Sequence, residues 1–409
     1  MATQPQAVLV REDGSEETLG VVPASEAVSP PGGVGGGLLD LRYPYGPALL
    51  PADDWRADGM WRYRRLLPLG DDPIRYPLHV GGTPLVAPPA LRDLLGLPQL
   101  WLKDETRGPS ASNKDRATAL VLEIAMTLGA TRVSCASTGN VAVSLAIGAA
   151  AAGLEAVTFV AAAAVADSKL RLMLEAGATV VKVRGGYDAA FELSRSAARA
   201  FGWVDRNTGV NPVTVDAKKT VALEIWEQLG RQVPDAVIVP VGDGPTLNGM
   251  AKGFREIVAC GGANRVPRLI GVQAAACQPI KRAWERGGAI EPTEPSTIAD
   301  GIAVGRPIAG ARAVQDVRES GGAFVAVTDD EMMAAKRLLS TRTGLLVEPA
   351  GAASLAGLRA ATRSGLVEPG ERVVALITGS SLKAPHVLEG HGRVIEVEPD
   401  LDALQDRLG

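Results

Sequence analysis

The sequence is poor in the residues that define several specialised classes of protein. Its three cysteines are odd in number and far apart, which argues against a disulfide framework and favours a reducing compartment. Only three histidines are present, none at ligand spacing from a cysteine, so we expect no metal site. The 42 lysines and arginines are balanced by 46 aspartates and glutamates. This balance predicts no nucleic-acid surface, although local sites for small anions remain open.

The beginning of the chain lacks the pattern of a targeting segment. It has no basic region that leads into an apolar stretch, so we expect no signal peptide and a cytoplasmic protein. One apolar run, residues 141–166, is long enough to cross a bilayer, which takes about 20 residues. Gly153 and Glu155 interrupt it, and the two pieces have the composition of a buried helix and a buried parallel strand. We therefore predict no membrane partner.

Residues 1–58 differ in composition from the rest of the chain. They are rich in glycine, proline and acids, with a glycine-rich centre at residues 30–37, which predicts an arm or extension rather than a domain. Beyond them, strand patterns and helix patterns alternate. Strands are predicted at 99–103, 132–136, 156–161, 179–183, 236–241, 269–273 and 373–378, and helices at 115–128, 139–152, 168–176, 189–201, 218–229, 247–259 and 330–340. This alternation predicts an α/β fold with an open, mostly parallel sheet between helices.

Residues 113–116, Asn-Lys-Asp-Arg, are the most informative segment. A lysine can form a Schiff base with an aldehyde when burial or a nearby cation lowers the pKa of its amine. A charged triplet at the start of a helix is also common for structural reasons, because the helix dipole favours acids there. The triplet alone therefore assigns no function to Lys114.

Two predicted turns between a strand and a helix carry groups that suit anions. Residues 137–140 are Ser-Thr-Gly-Asn, and their hydroxyls and backbone N–H groups fit a carboxylate or phosphate, with a plain helix cap as the alternative. Residues 242–246 are Gly-Asp-Gly-Pro-Thr, and glycines allow the backbone to approach a phosphate closely. A dinucleotide-binding loop would need a glycine where Leu247 stands, so NAD is not predicted.

Five further segments lie before and after the lysine segment and the two turns. They are Trp61-Arg62-Tyr63, Gly81-Gly82-Thr83-Pro84-Leu85, Leu102-Lys103-Asp104-Glu105, Val347-Glu348-Pro349-Ala350 and Thr378-Gly379-Ser380-Ser381-Leu382-Lys383. With the lysine segment and the two turns, they make the chain resemble threonine synthase and its relatives in the β-family (fold type II) of pyridoxal-phosphate enzymes, over residues 59–385. Each segment is modest by itself, but their order and spacing together are specific.

The resemblance implies the cofactor pyridoxal 5'-phosphate and a role for each matching residue. Lys114 aligns with the lysine that holds the cofactor and then acts as the base at Cα. Asn140 aligns with the side chain at the cofactor's phenolic oxygen, and Thr378 with the group that faces the pyridine nitrogen. A neutral hydroxyl at that nitrogen suits elimination or replacement better than transamination. The cofactor-phosphate loop aligns with Gly242, Asp243, Gly244, Pro245 and Thr246, and the turn that binds the substrate carboxylate with Ser137, Thr138 and Gly139.

The resemblance also implies two open, mostly parallel sheets flanked by helices. We expect a large cofactor-binding domain from residues 59–130 and 222–395, a small domain for the substrate carboxylate from residues 131–221, and a C-terminal tail at 396–409. Such enzymes act on small amino acids and are usually homodimers. We therefore expect an amino-acid substrate and a homodimer.

Three positions in the expected substrate pocket depart from the threonine synthase pattern. Asn113 stands where an aromatic residue usually precedes the lysine, and Val141 where a threonine usually follows the Ser-Thr-Gly-Asn turn. Thr214 replaces the arginine expected to clamp a substrate phosphate. A hydroxyl cannot supply the bidentate charge-assisted bonds of an arginine, which argues against O-phosphohomoserine. The alternative is an alignment slip in which nearby Arg206 serves instead.

Several functions remain open from the sequence. A threonine synthase-like lyase would eliminate a leaving group from Cβ or Cγ of a small amino acid and add a nucleophile. A serine/threonine ammonia-lyase is the second possibility, because residues 348–352, Glu-Pro-Ala-Gly-Ala, resemble the dehydratase form of this segment. A genuine threonine synthase with an altered phosphate site is the third. A catalytically silent cofactor-binding protein is disfavoured by the combined retention of Lys114, Asn140 and Thr378.

Overall fold

A computed structural model describes residues 5–11, 15–21, 37–53, 58–162, 166–399 and 401–408. The N-terminal extension contains structure that the sequence did not reveal. Strands β1 (Gln6–Arg11), β2 (Glu16–Val21) and β3 (Gly37–Arg42) form an antiparallel sheet in the order β2-β1-β3. Short strands with one solvated face give a weak pattern, and β2 is largely exposed. Most of the glycine-rich centre predicted at residues 30–37 lies outside the described residues.

The largest sheet has six strands. They are β4 (Leu85–Val86), β5 (Leu100–Asp104), β10 (Ala236–Pro240), β11 (Arg268–Ala274), β12 (Ala323–Val327) and β13 (Val373–Ile377). Their order is β12-β11-β10-β13-β5-β4, and all are parallel except the β4 edge, which is antiparallel to β5. Every residue of β10 and β13 is buried, as expected for strands covered on both faces.

A second main sheet has four parallel strands. They are β6 (Arg132–Ala136), β7 (Glu155–Ala161), β8 (Thr179–Val183) and β9 (Val204–Asp205), in the order β8-β7-β6-β9. All four fall inside the expected small domain at 131–221, although the domain boundaries themselves stay a prediction. The expected α/β class with two open, mostly parallel sheets is confirmed.

Helices connect the strands and cover the sheets. They are α1 (Pro89–Leu95), α2 (Lys114–Thr127), α3 (Asn140–Ala152), α4 (Asp167–Glu175), α5 (Tyr187–Phe201), α6 (Val213–Gln228), α7 (Pro245–Ala259), α8 (Pro279–Arg286), α9 (Gly310–Glu319), α10 (Asp329–Thr343), α11 (Pro349–Arg363) and α12 (Leu401–Leu408). The apolar run predicted as helix plus strand is α3 followed by β7. Within the described residues, no helix combines the length and apolar composition needed to cross a membrane.

Buried polar contacts attach the N-terminal extension to the main body. The Tyr43 hydroxyl donates to the Asp216 carboxylate of α6, and the Lys252 ammonium of α7 binds both Asp40 and the Leu41 carbonyl. All of these residues except Asp40 are buried. The extension therefore packs against helices α6 and α7.

A cluster of four buried charges joins β5, α2 and α6. The Arg116 guanidinium donates to both Glu105 oxygens at 2.6 and 2.7 Å and to both Glu224 oxygens at 2.6 and 2.8 Å. Lys103 donates to Glu224 at 2.6 Å, and all four residues are at most 2% exposed. We call this the Arg116 cluster. Two cations and two carboxylates balance its charge, and bidentate arginine bonds are among the strongest available.

Replacing Glu224 by leucine should destabilise the fold by about 3–5 kcal/mol, because removing one partner leaves a buried charge uncompensated. The free energy of unfolding, measured by urea denaturation, checks this. Arg171 provides the control, since it pairs with Asp167 at 2.8 Å on the exposed face of α4. An exposed pair of this kind contributes under about 1 kcal/mol, so Arg171→Ala should be nearly neutral. Equal stability of the two variants would contradict the role given to the cluster.

Candidate active site

The expected site residues gather where the carboxyl ends of β10 and β13 meet the start of α2. The turn at residues 242–246 follows β10, Thr378 follows β13, and Lys114 is the first residue of α2. β10 and β13 are hydrogen-bonded neighbours. The Asn113 N–H donates to the Thr378 carbonyl at 2.9 Å, which fixes the start of α2 against the end of β13. Ligands of open parallel sheets bind at this edge.

The Lys114 amine has the properties of a nucleophile. It is partly buried and forms no hydrogen bond or ion pair with any described residue. Burial, followed by the positive charge of Arg206, lowers the pKa of this amine to about 8, against the opposing influence of Glu348 and Asp243. A substantial fraction of the amine is therefore neutral and nucleophilic near physiological pH.

Asp115, the residue after Lys114, stabilises the loop that precedes Lys114. Asp115 accepts from the Ser110 N–H at 2.9 Å and from the Ser144 hydroxyl of α3 at 2.7 Å. Ala111 takes the left-handed conformation, with φ of 52°, which costs a non-glycine residue energy. Its carbonyl accepts from the Ser380 N–H at 2.9 Å and from the Lys383 ammonium at 2.7 Å. The strained residue is thus tied to the segment that follows β13.

Asn140 connects the second main sheet to the first. Its amide Nδ2 donates to Glu348 Oε2 at 2.6 Å, while its Oδ1 is buried without a hydrogen-bond partner among the described residues. Glu348, just before α11, also lies 3.3 Å from the Lys169 ammonium of α4, and Lys169 binds Asp300. Residues from both sheets therefore meet at this point.

The turn at residues 242–246 combines close packing with an open helix end. Gly244 has φ of 105°, and a Cβ there would lie 2.7 Å from the Ala309 carbonyl oxygen. No side chain caps the start of α7, so its first N–H groups are available to an anion. The Asp243 carboxylate accepts from the Ile308 N–H at 2.6 Å, and burial raises its pKa to about 6. A carboxyl with that pKa is partly neutral near neutral pH, which reduces its repulsion of a bound anion.

The turn expected to bind the substrate carboxylate stands after β6. The Ser137 hydroxyl accepts from the Gly139 N–H at 3.1 Å, which is a local turn contact. No side chain caps α3, and Ser137, Thr138 and Gly139 are partly exposed. Val141 is partly buried against the main apolar core. The turn thus has the open N–H groups that anion binding needs.

The other two departures, Asn113 and Thr214, lie in contrasting surroundings. The Asn113 amide donates to the Thr246 hydroxyl at 3.4 Å, so it connects the lysine segment to the 242–246 turn. Thr214 is fully buried in the first turn of α6, and its hydroxyl donates to the Asn211 carbonyl at 2.7 Å. Helix α6 begins at Val213, five residues before the predicted start, because Pro212 at the N-cap position is compatible with a helix start. The Thr214 hydroxyl is therefore engaged within its own helix.

Charged residues that were not assigned to the site also lie around it. Glu348 contacts Asn140, and Lys169 lies 3.3 Å from Glu348. The charge of Arg206 acts on both Lys114 and Lys218. Glu348 belongs to the dehydratase-like segment, and Lys218 stands four residues after Thr214. No local sequence pattern indicated a role for Lys169, because its neighbours in the structure come from distant parts of the chain. Among the described residues, no group of histidine, cysteine and acidic side chains is arranged to hold a metal ion.

Comparison with known proteins assigns this chain to a family. The model of the pyridoxal-phosphate dependent enzymes matches residues 76–379. The threonine synthase of Methanosarcina acetivorans is 36% identical over 377 residues, 91% of this chain and 92% of that protein. The threonine synthase of Mycobacterium leprae is 37% identical over 349 residues, 85% and 94% of the two chains. The crystal structure of the T.th. threonine deaminase superposes with a TM-score of 0.61 at 27% identity, covering 73% of this chain and 92% of that one.

The chain belongs to the pyridoxal-phosphate dependent enzymes. It is a threonine synthase-like lyase with fold type II, and its cofactor is pyridoxal 5'-phosphate. The side chains fit this group. Lys114 offers an amine of lowered pKa to the aldehyde, the uncapped start of α7 suits the phosphate, and the Asn140 amide retains an unpaired buried atom among the described residues.

Replacing Lys114 by alanine should abolish covalent cofactor binding, because no other described amine occupies the start of α2. The visible absorbance of the lysine-bound cofactor, and its trapping by borohydride as a mass increase on the peptide, measure this. Lys182, exposed on β8, is the matched control, and Lys182→Ala should keep the yellow band. If the band persisted in Lys114→Ala, a different lysine would be the one that binds the cofactor covalently.

The pH dependence of cofactor capture provides a second test of Lys114. A neutral amine attacks the aldehyde, so the rate of capture by the cofactor-free protein should rise with pH through about 8 and then level off. If the amine had an ordinary lysine pKa of about 10.4, the rate of capture would continue to rise above about pH 9. Stopped-flow absorbance across this range distinguishes the two profiles.

Replacing Gly244 by valine should weaken cofactor binding at least about tenfold, because the side chain would meet the Ala309 carbonyl at a backbone angle that costs a non-glycine residue about 1–3 kcal/mol. Gly186 precedes α5 in the same way, but its φ is −81° and its Cβ position is open. Gly186→Val is therefore the control. Equal cofactor affinity in both variants, measured by absorbance titration, would show that the 242–246 turn does not hold the phosphate.

Proposed function

We propose that this chain catalyses elimination and replacement at Cβ or Cγ of a small amino acid that carries a side-chain leaving group, and that O-phosphohomoserine is not its preferred substrate. The observation that carries the substrate part is the Thr214 hydroxyl, which is bonded back to the Asn211 carbonyl at 2.7 Å. The reaction part is supported by the similarity to threonine synthases. A homodimer in the cytoplasm is part of the same proposal.

The proposed roles follow from where the side chains lie. When bound, the cofactor withdraws electrons from the substrate's Cα, which makes the Cα proton removable. Lys114 has an amine with a pKa of about 8, which suits a general base near neutral pH. Thr378 presents a neutral hydroxyl beside the end of β13, and the open turn at residues 137–140 binds the substrate carboxylate through its N–H groups. Asn140 orients the cofactor's phenolic oxygen.

The state of Arg206 supports a change of substrate rather than an alignment slip. Arg206 is fully buried, and its guanidinium donates to Thr208 at 2.8 Å, to Thr118 at 3.2 Å and to the Lys114 carbonyl at 3.3 Å. Each of its three nitrogen atoms donates one of these bonds. Arg206 is therefore held in a structural position beside α2 and does not present a free guanidinium in place of the missing arginine.

A second candidate, a serine/threonine ammonia-lyase, is favoured by Gly351. A Cβ at this position would lie 3.1 Å from the Gly379 carbonyl oxygen and 3.5 Å from the Thr378 N–H nitrogen. The glycine thus brings α11 against the residues that follow β13, beside the expected pyridine nitrogen. Both reactions begin with loss of the Cα proton to the same lysine, so the products decide between them.

Turnover of O-phosphohomoserine should be poor, because each lost charge-assisted hydrogen bond weakens binding about ten- to a hundredfold. The test compares it with serine, threonine and their O-phospho and O-acetyl forms, with and without an added amine or thiol. A new amino acid that appears only with the nucleophile would support replacement. Keto acid and ammonia from an unactivated hydroxy amino acid would support the ammonia-lyase. Efficient threonine formation from O-phosphohomoserine would refute the proposed change of substrate.

Variants at Thr214 and Ser137 sharpen this screen. Thr214→Val keeps the shape and removes only the hydroxyl, so the KM of every substrate should stay within about twofold if that hydroxyl contacts only Asn211. Ser137→Ala should raise the KM of all substrates alike, since they share the carboxylate. A KM that rises only for phosphorylated substrates in Thr214→Val would show that Thr214 does bind the phosphate.

A further inference from the structure

Lys218 is a buried cation without a partner. It is 3% exposed in the middle of α6, yet its ammonium forms no hydrogen bond or ion pair with any described residue. Several other buried lysines of this chain are paired with carboxylates at 2.6 to 3.3 Å: Lys103 with Glu224, Lys169 with Glu348 and Lys219 with Glu256. An isolated buried ammonium is costly. Lys218 is therefore a candidate for binding a ligand.

The position of Lys218 directs it to the active site. It stands four residues after Thr214, on the same face of α6 one turn further along. Its stem packs against α7 where Gly249 leaves room, since a Cβ at Gly249 would lie 2.7 Å from the Lys218 Cβ. Burial and then the charges of Arg206 and Lys114 lower the pKa of Lys218, whereas Asp243 raises it. Lys114 and Asp243 belong to the candidate active site, and Arg206 donates to the Lys114 carbonyl.

The basic side chains in this part of the pocket have no carboxylate partner among the described residues. The Arg206 guanidinium has hydroxyl and carbonyl partners, and the Lys114 amine has no hydrogen-bond partner among the described residues. Among the described residues, the acidic side chain with the largest influence on Lys218 is Asp243, whose carboxylate accepts from the Ile308 N–H. The start of α7 already offers N–H groups to the cofactor phosphate. A second anion, on the substrate, would therefore meet an unpaired ammonium in a largely buried site.

We propose that Lys218 recognises an anionic group at the end of the substrate's side chain, in place of the arginine that Thr214 replaces. This inference rests on the proposed function and adds a substrate class to it: amino acids whose side chain ends in a phosphate or a carboxylate. An ammonium is a point charge rather than a bidentate donor. It donates to an anion one helical turn beyond position 214, so the preferred side chain differs in length from that of O-phosphohomoserine.

The test uses the cofactor-loaded enzyme and pairs of substrates that differ in charge at similar length. O-phospho-L-serine is compared with O-acetyl-L-serine, and the binding of L-aspartate and L-glutamate, followed by the change in cofactor absorbance, tests the carboxylate. In Lys218→Met, kcat/KM for the phosphorylated substrate should fall at least about tenfold through KM, and the acetylated substrate should change less than about twofold. Lys218→Arg should restore part of the loss.

Two further measurements keep the outcome decisive. Calorimetric titration of the loaded enzyme with inorganic phosphate should give binding that Lys218→Met weakens at least about tenfold, even if the substrate remains unknown. Lys336→Met is the matched control, because Lys336 is also buried and has no carboxylate partner among the described residues, but lies on α10. Thermal unfolding verifies that each variant is folded, and Lys218→Gln replaces Lys218→Met if the latter is not.

The results separate this inference from the proposed function. Equal loss for charged and neutral substrates, or unchanged phosphate binding, would overturn the role of Lys218 while leaving elimination and replacement intact. Loss of the cofactor's visible band in Lys218→Met would show that Lys218 binds the cofactor phosphate instead, which also overturns it. Absence of elimination or replacement with every substrate would refute the proposed function, and the phosphate titration would still decide on Lys218.

Discussion

The buried ion pairs of Arg116 constrain the helix that begins with Lys114, the candidate cofactor lysine. Arg116 lies two residues after Lys114 in α2, and its bonds to Glu105 and Glu224 fix the start of this helix against the end of β5 and against α6. Glu224 belongs to the helix that also carries Lys218. Because bidentate bonds fix orientation as well as distance, the cluster sets where the Lys114 amine stands relative to the other side of the pocket. Its neutral charge balance keeps it from competing with the site for anions.

The candidate site takes residues from both main sheets. The first sheet contributes the turn after β10 and Thr378 after β13, and the second contributes the turn after β6. Asn140 and Lys169 both reach Glu348 across this junction. A change in the distance between the sheets would therefore alter the Asn140 contact and the ion pair at Lys169 together. The two parts of the site are coupled through one carboxylate.

Local sequence patterns predicted most of the strands and helices around the candidate site. They did not predict the contacts between residues that are distant in the sequence. Strands β6 and β8 have the predicted bounds, because each is a short run of five residues between two helix patterns. The start of α6 was missed because Pro212 suggests a break, and α11 because its alanine-rich sequence lacks a polar face. The lysine and the turns were recognisable from neighbouring residues. The pairing of Glu348 with Asn140, 208 positions apart, was not, since no local spacing encodes it.

The contrast between Lys219 and Lys218 shows how adjacent residues of one type acquire different roles. Lys219 points to a different side of α6, where Glu256 lies 2.8 Å away and the centre of the Tyr43 ring lies 4.2 Å from its ammonium. That charge is neutralised by the fold itself and helps to attach the N-terminal extension. Lys218 lies within the field of Arg206 and Lys114, where the fold supplies no carboxylate partner among the described residues. A burial cost that the fold leaves uncompensated is the physical basis for assigning the compensation to a ligand.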